Sequence, residues 1–151
     1  MSMNNRAPPS WRFPLAYLLT AGAFLAMDAL WLMSANAALY RPAIGHLMGA
    51  SVDWVAAALF YVGYLVGLVF FAVAPAIAAE RPAPALMRGA CLGLLAYGTY
   101  DLTNQATLRD WPWSLTTIDL AWGALVSGVS SCAAAAGTLA TCRRARRATG
   151  R

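Results

Sequence analysis

The stretch from Trp54 to Ala79, WVAAALFYVGYLVGLVFFAVAPAIAA, carries no charged side chain over its whole length. A bilayer core about 30 Å thick is crossed by about 20 apolar residues of helix, so this stretch reads as a membrane span. Three further windows of the same character lie around it. Pro14 to Met33 has Asp28 as its one charged residue, Ala83 to Thr103 has Arg88 near its start and Asp101 near its end, and Leu115 to Ala140 has Asp119 near its start. Pro14 suits a first helical turn. The Pro82-Ala-Pro84 stretch breaks the chain between the second and third windows and leaves a short connection, which makes those helices antiparallel neighbours. The prediction is an all-α membrane protein: a four-transmembrane-helix bundle with spans at about 14–33, 54–79, 83–103 and 115–140. A leader over 1–13 precedes the domain over 14–140, and a basic tail over 141–151 follows it.

Composition points the same way. Apolar residues make up 60% of the chain and charged residues 11%, against roughly 25% charged in an ordinary soluble domain. Four helices this apolar leave too little polar sequence to coat a water-soluble core. The N-terminal Arg6 and Arg12, the apolar run and Ala35-Asn36-Ala37 have the outline of a cleaved signal. The run is nevertheless longer than the usual apolar region of about 7 to 15 residues and holds Asp28 and Trp31, so a retained helix is the better reading. All 11 basic residues are arginine, and without lysine there is no Schiff-base chemistry. One histidine, His46, cannot build a multi-histidine metal or bis-histidine haem site in one chain. Cys91, Cys132 and Cys142 have no metal spacing and are expected as free thiols. The chain has no phosphate loop, zinc helix motif, nucleophile elbow or aspartate-rich diphosphate motif. No metal, cofactor or catalytic residue is therefore predicted.

The arginines orient the bundle. Arg6, Arg12, Arg81, Arg88, Arg143, Arg144, Arg146, Arg147 and Arg151 fall on one side of the four spans, and Arg41 and Arg109 on the other, nine against two. Positive charge stays inside, so both termini are expected in the cytoplasm of a bacterial cell, with the domain in the inner membrane. Nine arginines and Glu80 give the inner side +8; two arginines and five aspartates give the outer side −3, and the two sum to the chain's +5. The Arg143–Arg147 cluster reads as an anchor on anionic lipid rather than as a nucleic-acid site.

Three carboxylates share one layer. At 1.5 Å per residue, Asp28 lies about 9 Å below the outer edge of the hydrocarbon core, Asp101 within about 5 Å of it and Asp119 about 6 Å below it. A charge facing lipid costs roughly 2.5 to 3.5 kcal/mol at the bilayer centre and less toward the interface, so the three should converge inside the bundle. Tyr97, Tyr100, Asp101 and Asn104 share a helical face by their spacing, Thr116 and Trp122 flank Asp119, and Trp31 follows Asp28 by one turn. Trp54, Tyr61 and Tyr64 make an aromatic stripe on the second span. The candidate ligand-binding set is Asp28, Trp31, Tyr61, Tyr97, Tyr100, Asp101, Asn104, Arg109, Asp119 and Trp122. A structural role competes with it, in which Arg41 or Arg109 neutralises the acids, or Tyr and Asn side chains hydrogen-bond them, to fix helix register.

Several weaker signals complete the reading. Asp28-Ala-Leu-Trp31 and Asp119-Leu-Ala-Trp122 repeat as D-x-x-W, a match too short to establish a duplication. Gly63-x-x-x-Gly67 and Gly89-x-x-x-Gly93 read as helix packing first and as a homodimer interface second. Ser34 to Asp53, with Tyr40, Arg41, Pro42, Gly45 and His46, is expected as the longest loop, and Trp54, Trp111 and Trp113 as members of an interfacial belt.

Tyr100-Asp-Leu-Thr-Asn104, then Ala106-Thr-Leu-Arg109, Trp111-Pro112 and Asp119-Leu-Ala-Trp122-Gly123 form a distinctive run. Together with Asp28-Ala-Leu-Trp31, Gly45-His-Leu47 and Leu59-Phe-Tyr61, the chain resembles a bacterial family of predicted membrane proteins, domain of unknown function 2177, over roughly Leu15 to Ser131. The resemblance implies four membrane helices and brings no catalytic residue or ligand with it. The leading functional expectation is an acidic, aromatic-lined pocket near the outer leaflet that binds a membrane lipid, an amphipathic small molecule or a cation. The alternatives are a lipid- or isoprenoid-modifying enzyme with an aspartate as acid or base beside Tyr97 or Tyr100, a small transporter subunit, and a structural assembly partner. A transporter's key acid belongs near mid-membrane, and these acids sit high.

Overall fold

The computed structural model describes residues 10–148; Arg6 and the rest of the leader before Ser10, and Arg151 at the end of the tail, lie outside the described residues. The described chain forms four helical runs and no strand. The first is α1 (Arg12–Ala35), a π-helical turn Asn36–Tyr40, α2 (Arg41–Ile44) and a 3-10 turn Gly45–Leu47. The second is α3 (Trp54–Leu68), a π-helical turn Val69–Val73 and α4 (Ala74–Ala78), and the remaining two are α5 (Ala83–Thr107) and α6 (Trp113–Ala148). Arg12–Leu47, Trp54–Ala78 and Trp113–Ala148 are each long and apolar enough to cross a membrane. The 25-residue α5 has the length but is less apolar, because Thr99, Asp101, Thr103, Asn104 and Gln105 crowd its second half.

The bundle is apolar outside and polar within. Leu18, Leu30, Met33, Val55, Leu59, Phe70, Met87 and Leu95 are exposed, while Thr20, Ser127, Ser130, Ser131 and Thr138 are completely buried. Water would favour the reverse, and lipid permits this arrangement because tails solvate leucine, while a buried hydroxyl can bond a carbonyl one turn back on its own helix. Thr20, for example, donates to the carbonyl of Ala16 at 2.7 Å. At the centre stands α6, with half of its most apolar window buried, against 22% and 17% for the first and second runs.

Close approach of α5 to α6 depends on missing side chains. A Cβ on Gly89 would sit 2.5 Å from the Ser127 carbonyl oxygen, and one on Gly93 would overlap the Gly123 carbonyl. The Gly89-x-x-x-Gly93 pair is thus the packing seam within the chain. Among the described residues, nothing else comes within 4 Å of a Cβ built on Gly63 or Gly67. Ala16, Val73, Ala76, Ile77, Ala85, Ala134, Ala135 and Leu139 fill the core at the end of the bundle that holds the α4–α5 turn. That turn is tight. Glu80 takes φ 54°, its N–H bonds the Ile77 carbonyl, and the Arg81 N–H bonds the Ala76 carbonyl, the paired closure that ends a helix in a left-handed residue. Arg146 of α6 pairs with Glu80 at 3.5 Å, which brings the arginine cluster to this same end. The cluster itself is the last part of α6, so residues 141–148 of the expected tail continue the helix.

The sequence reading differs from the structure most at Ser34–Asp53. Only residues 48–53 are non-helical; the first helix runs on to Leu47. Both π turns end just before a proline, with Pro42 and Pro75 in the first positions of α2 and α4. Proline lacks the N–H that would bond one turn back and its ring crowds that carbonyl, and a widened turn absorbs the conflict without breaking the helix. Packing then holds the extension, with Ile44 buried against Trp111 and Leu115. Trp111 is accordingly a core residue and not a belt residue, 5% exposed, whereas Trp54 and Trp113 are 77% and 64% exposed. The Trp111 indole donates to Thr116 and Gln105 donates to the Trp111 carbonyl, which staples the α5–α6 connection. Asp53 caps α3 by accepting from the backbone N–H groups of Val55 and Ala56.

Candidate functional site

At the end of the bundle opposite the α4–α5 turn, the four runs enclose a cavity of about 330 Å³. Asp28, Trp31 and Leu32 of α1, Tyr40 of the π turn, and Phe60 and Tyr61 of α3 line one part of it. Ala96, Tyr97, Tyr100 and Asp101 of α5 and Asp119 and Trp122 of α6 line the rest. Leu32, Phe60 and Tyr100 are also exposed on the outside of the bundle, so the mouth opens on its lipid-facing flank.

Small residues place the walls. Tyr97 lies flat on α6 because Gly123 has no side chain there; a Cβ would overlap the tyrosine ring. Deeper in the bundle, the Tyr64 hydroxyl meets Ser127 at 2.7 Å, and Phe24, Leu65, Leu68 and Val126 form a buried layer that closes the cavity from the other end.

The two D-x-x-W segments interlock across this space. Trp31 and Trp122 stack with ring centroids 4.5 Å apart and planes 11° from parallel. Trp122 donates its indole N–H to Asp28 at 3.3 Å, so the tryptophan of the second segment serves the aspartate of the first. In return, Trp31 donates to the Tyr40 hydroxyl at 2.9 Å, which donates to Asp119 at 2.6 Å. Tyr61 completes Asp28 by donating to its second oxygen at 2.6 Å.

Asp101 is different. It is buried with no exposed surface, and no protein donor reaches either of its carboxylate oxygens. Among the described residues no ion pair involves Asp28, Asp101 or Asp119. Arg41 and Arg109, which could have neutralised them, are exposed and do not line the cavity. Burying a carboxylate without compensation costs several kcal/mol, and leaving its oxygens without donors adds about 1 to 3 kcal/mol.

Of the residues proposed from sequence, Asp28, Trp31, Tyr61, Tyr97, Tyr100, Asp101, Asp119 and Trp122 lie around this one cavity, while Asn104 and Arg109 do not. Asn104 is one turn beyond Asp101 toward the end of α5, and Arg109 follows the helix in the connection. Four lining residues were absent from the sequence-derived set: Leu32, Tyr40, Phe60 and Ala96. Tyr40 matters most among them. An unbroken α-helix would put residues 38 and 39 on the face of Trp31, and the extra residue of the π turn brings Tyr40 there instead; Pro42 was its one trace in the sequence.

The family comparison agrees with this architecture. A family described as predicted membrane protein (DUF2177) matches residues 13–136. The chain belongs to that family. The match covers the cavity and the α5–α6 seam and stops short of the arginine cluster. No curated protein and no solved structure matches the chain.

The arrangement limits the chemistry. Among the described residues, no three His, Cys, Asp or Glu side chains lie close enough together to hold a metal ion, so the three aspartates share a cavity without sharing a coordination point. Tyr97 and Tyr100, the hydroxyls that would assist an acid or base, make no hydrogen bond to any of the three carboxylates. What the site offers is an apolar, aromatic volume with one unsatisfied acidic group in its wall and no basic group around it.

Proposed function

We propose that the protein is a small binding protein of the bacterial inner membrane, crossing it four times with both termini in the cytoplasm, whose cavity takes up a cationic amphipathic molecule from the outer leaflet. The observation that carries this reading is Asp101, a fully buried carboxylate without a protein donor in the wall of a cavity lined by two further aspartates. An intramembrane acid is expensive and marks a site by default. A positive group entering the cavity offsets that cost, and its apolar portion suits the aromatic walls and the lipid-facing mouth.

Arginine distribution supports the orientation. Arg12 begins α1, Arg81 lies in the α4–α5 turn and Arg146 reaches Glu80 beside it, so these three gather at the end away from the cavity, while Arg41 and Arg109 lie at the other. With that end inside, the cavity lies toward the outer leaflet. As the third span, α5 buries Asp101 and bonds the hydroxyls of the exposed Thr99, Thr103 and Thr107 to carbonyls one turn back on the same helix.

A ligand panel tests the reading. The full chain in neutral detergent is melted with octylammonium, octylphosphocholine or octanoate, each below its micellar concentration. A molecule that binds the folded state raises the melting temperature, so octylammonium should stabilise and octanoate, repelled by three carboxylates, should not. Equal or greater stabilisation by octanoate would contradict the proposal.

A further inference from the structure

The cavity's hydrogen bonds narrow the chemistry of its occupant. Asp28 has a donor on each oxygen, Tyr61 on one and Trp122 on the other, and Asp119 accepts from Tyr40. Both oxygens of Asp101 have none. The protein thus fills both oxygens of Asp28 and one oxygen of Asp119 with its own side chains, and leaves both acceptors of Asp101 to be filled.

We infer that the occupant is an organic cation bearing N–H donors, an ammonium or guanidinium group on an apolar body, and that those N–H groups bind Asp101. This rests on the cation-binding reading above and adds to it the requirement for donors. Charge-assisted N–H···O bonds form at about 2.7 to 2.9 Å and are roughly twice as strong as neutral ones. A fully methylated nitrogen carries the same charge but keeps it behind methyl groups and leaves both oxygens unbonded.

Recognition of a quaternary nitrogen requires a cage of free ring faces. Here several of the rings already pack on one another. Trp31 covers Trp122, Phe60 stacks on Tyr64 with planes 10° from parallel, and Tyr100 is held edge to face with Trp111. A calcium ion takes six to eight oxygen ligands, and no group of three side chains suited to a metal ion is assembled among the described residues. Asp101 has no exposed surface, so the cation reaches it by displacing wall side chains, and the site is completed as the ligand enters.

The experiment compares two probes that differ only in the substituents on nitrogen. Octylammonium and octyltrimethylammonium are titrated into the wild-type chain in neutral detergent, and Kd is taken from the dose dependence of the melting temperature. The result expected is at least a tenfold tighter Kd for octylammonium, reduced to less than threefold in Asp101→Asn. Equal affinities in the wild type would overturn the donor requirement while leaving a cation-binding cavity intact. Binding of neither probe would overturn both readings. A tenfold advantage surviving in Asp101→Asn would overturn the assignment to Asp101. The first comparison uses only the wild-type protein and does not depend on the variant folding.

Discussion

At the end of the bundle that holds Glu80, α5 and α6 meet backbone to backbone through Gly89, Gly93 and Gly128, and alanines fill the core. At the other end the two helices still meet, Tyr97 lying on Gly123, but aromatic rings from all four runs surround a cavity with three carboxylates. The difference follows from side-chain size along one pair of helices. Where residues are small the backbones close and dispersion contacts saturate; where rings are large they leave between the four runs a volume lined by polar tips. The closed end packs tightly, and on the binding reading proposed above that packing offsets the cost of the buried Asp101 at the open end.

The largest effect is expected from breaking the closed end. Gly93→Val drives a branched side chain into the Gly123 backbone and should cost about 3 kcal/mol by the usual penalty of overpacking, read as a fall in unfolding midpoint. Gly63→Val, where none of the described residues crowds a Cβ, should change stability by less than about 0.5 kcal/mol. Equal losses at the two glycines would dissolve the distinction between seam and surface.

A smaller effect is expected at the open end. Tyr40→Phe removes the link between Trp31 and Asp119 and leaves a donor and an acceptor without partners. Hydrogen bonds between membrane helices average only about 0.6 kcal/mol and reach about 1.7, so a total loss of about 1.5 kcal/mol is predicted. Amide hydrogen exchange should rise in residues 36–47 and stay unchanged in α5 near Gly89 and Gly93. The smallest effect belongs to a helix end: Asp53→Ala removes the cap of α3 and should cost about 1 kcal/mol, with no change in ligand binding.

The four helices were legible in the sequence because an uncharged run as long as Trp54–Ala79 suits a helix in lipid and has no polar face to offer water. The convergence of Asp28, Asp101 and Asp119 on one volume could be anticipated from depth alone, since each lies near one end of its span. Three things were hidden. The helix extends past Ser34 because Pro42 is absorbed by a π turn, and the stabilising contacts come from Ile44 against Trp111, residues far apart in sequence. Arg109 and Asn104 fell outside the site because proximity along the chain does not fix direction at a helix end, where α5 gives way to the connection at Leu108. Which aspartate lacks partners could not be read either, since it depends on tyrosines from two other helices.

The most direct test of the account is the melting temperature of Asp28→Asn, Asp101→Asn and Asp119→Asn beside the wild-type chain. Asp28 and Asp119 are held by donors that an amide satisfies less well, so those two variants should melt lower. Asp101 is held by none, and removing its charge should leave the melting temperature unchanged or raise it. A fall in Asp101→Asn as large as in the other two would mean that its carboxylate holds the bundle together, and would contradict the claim that this acid is kept for a ligand.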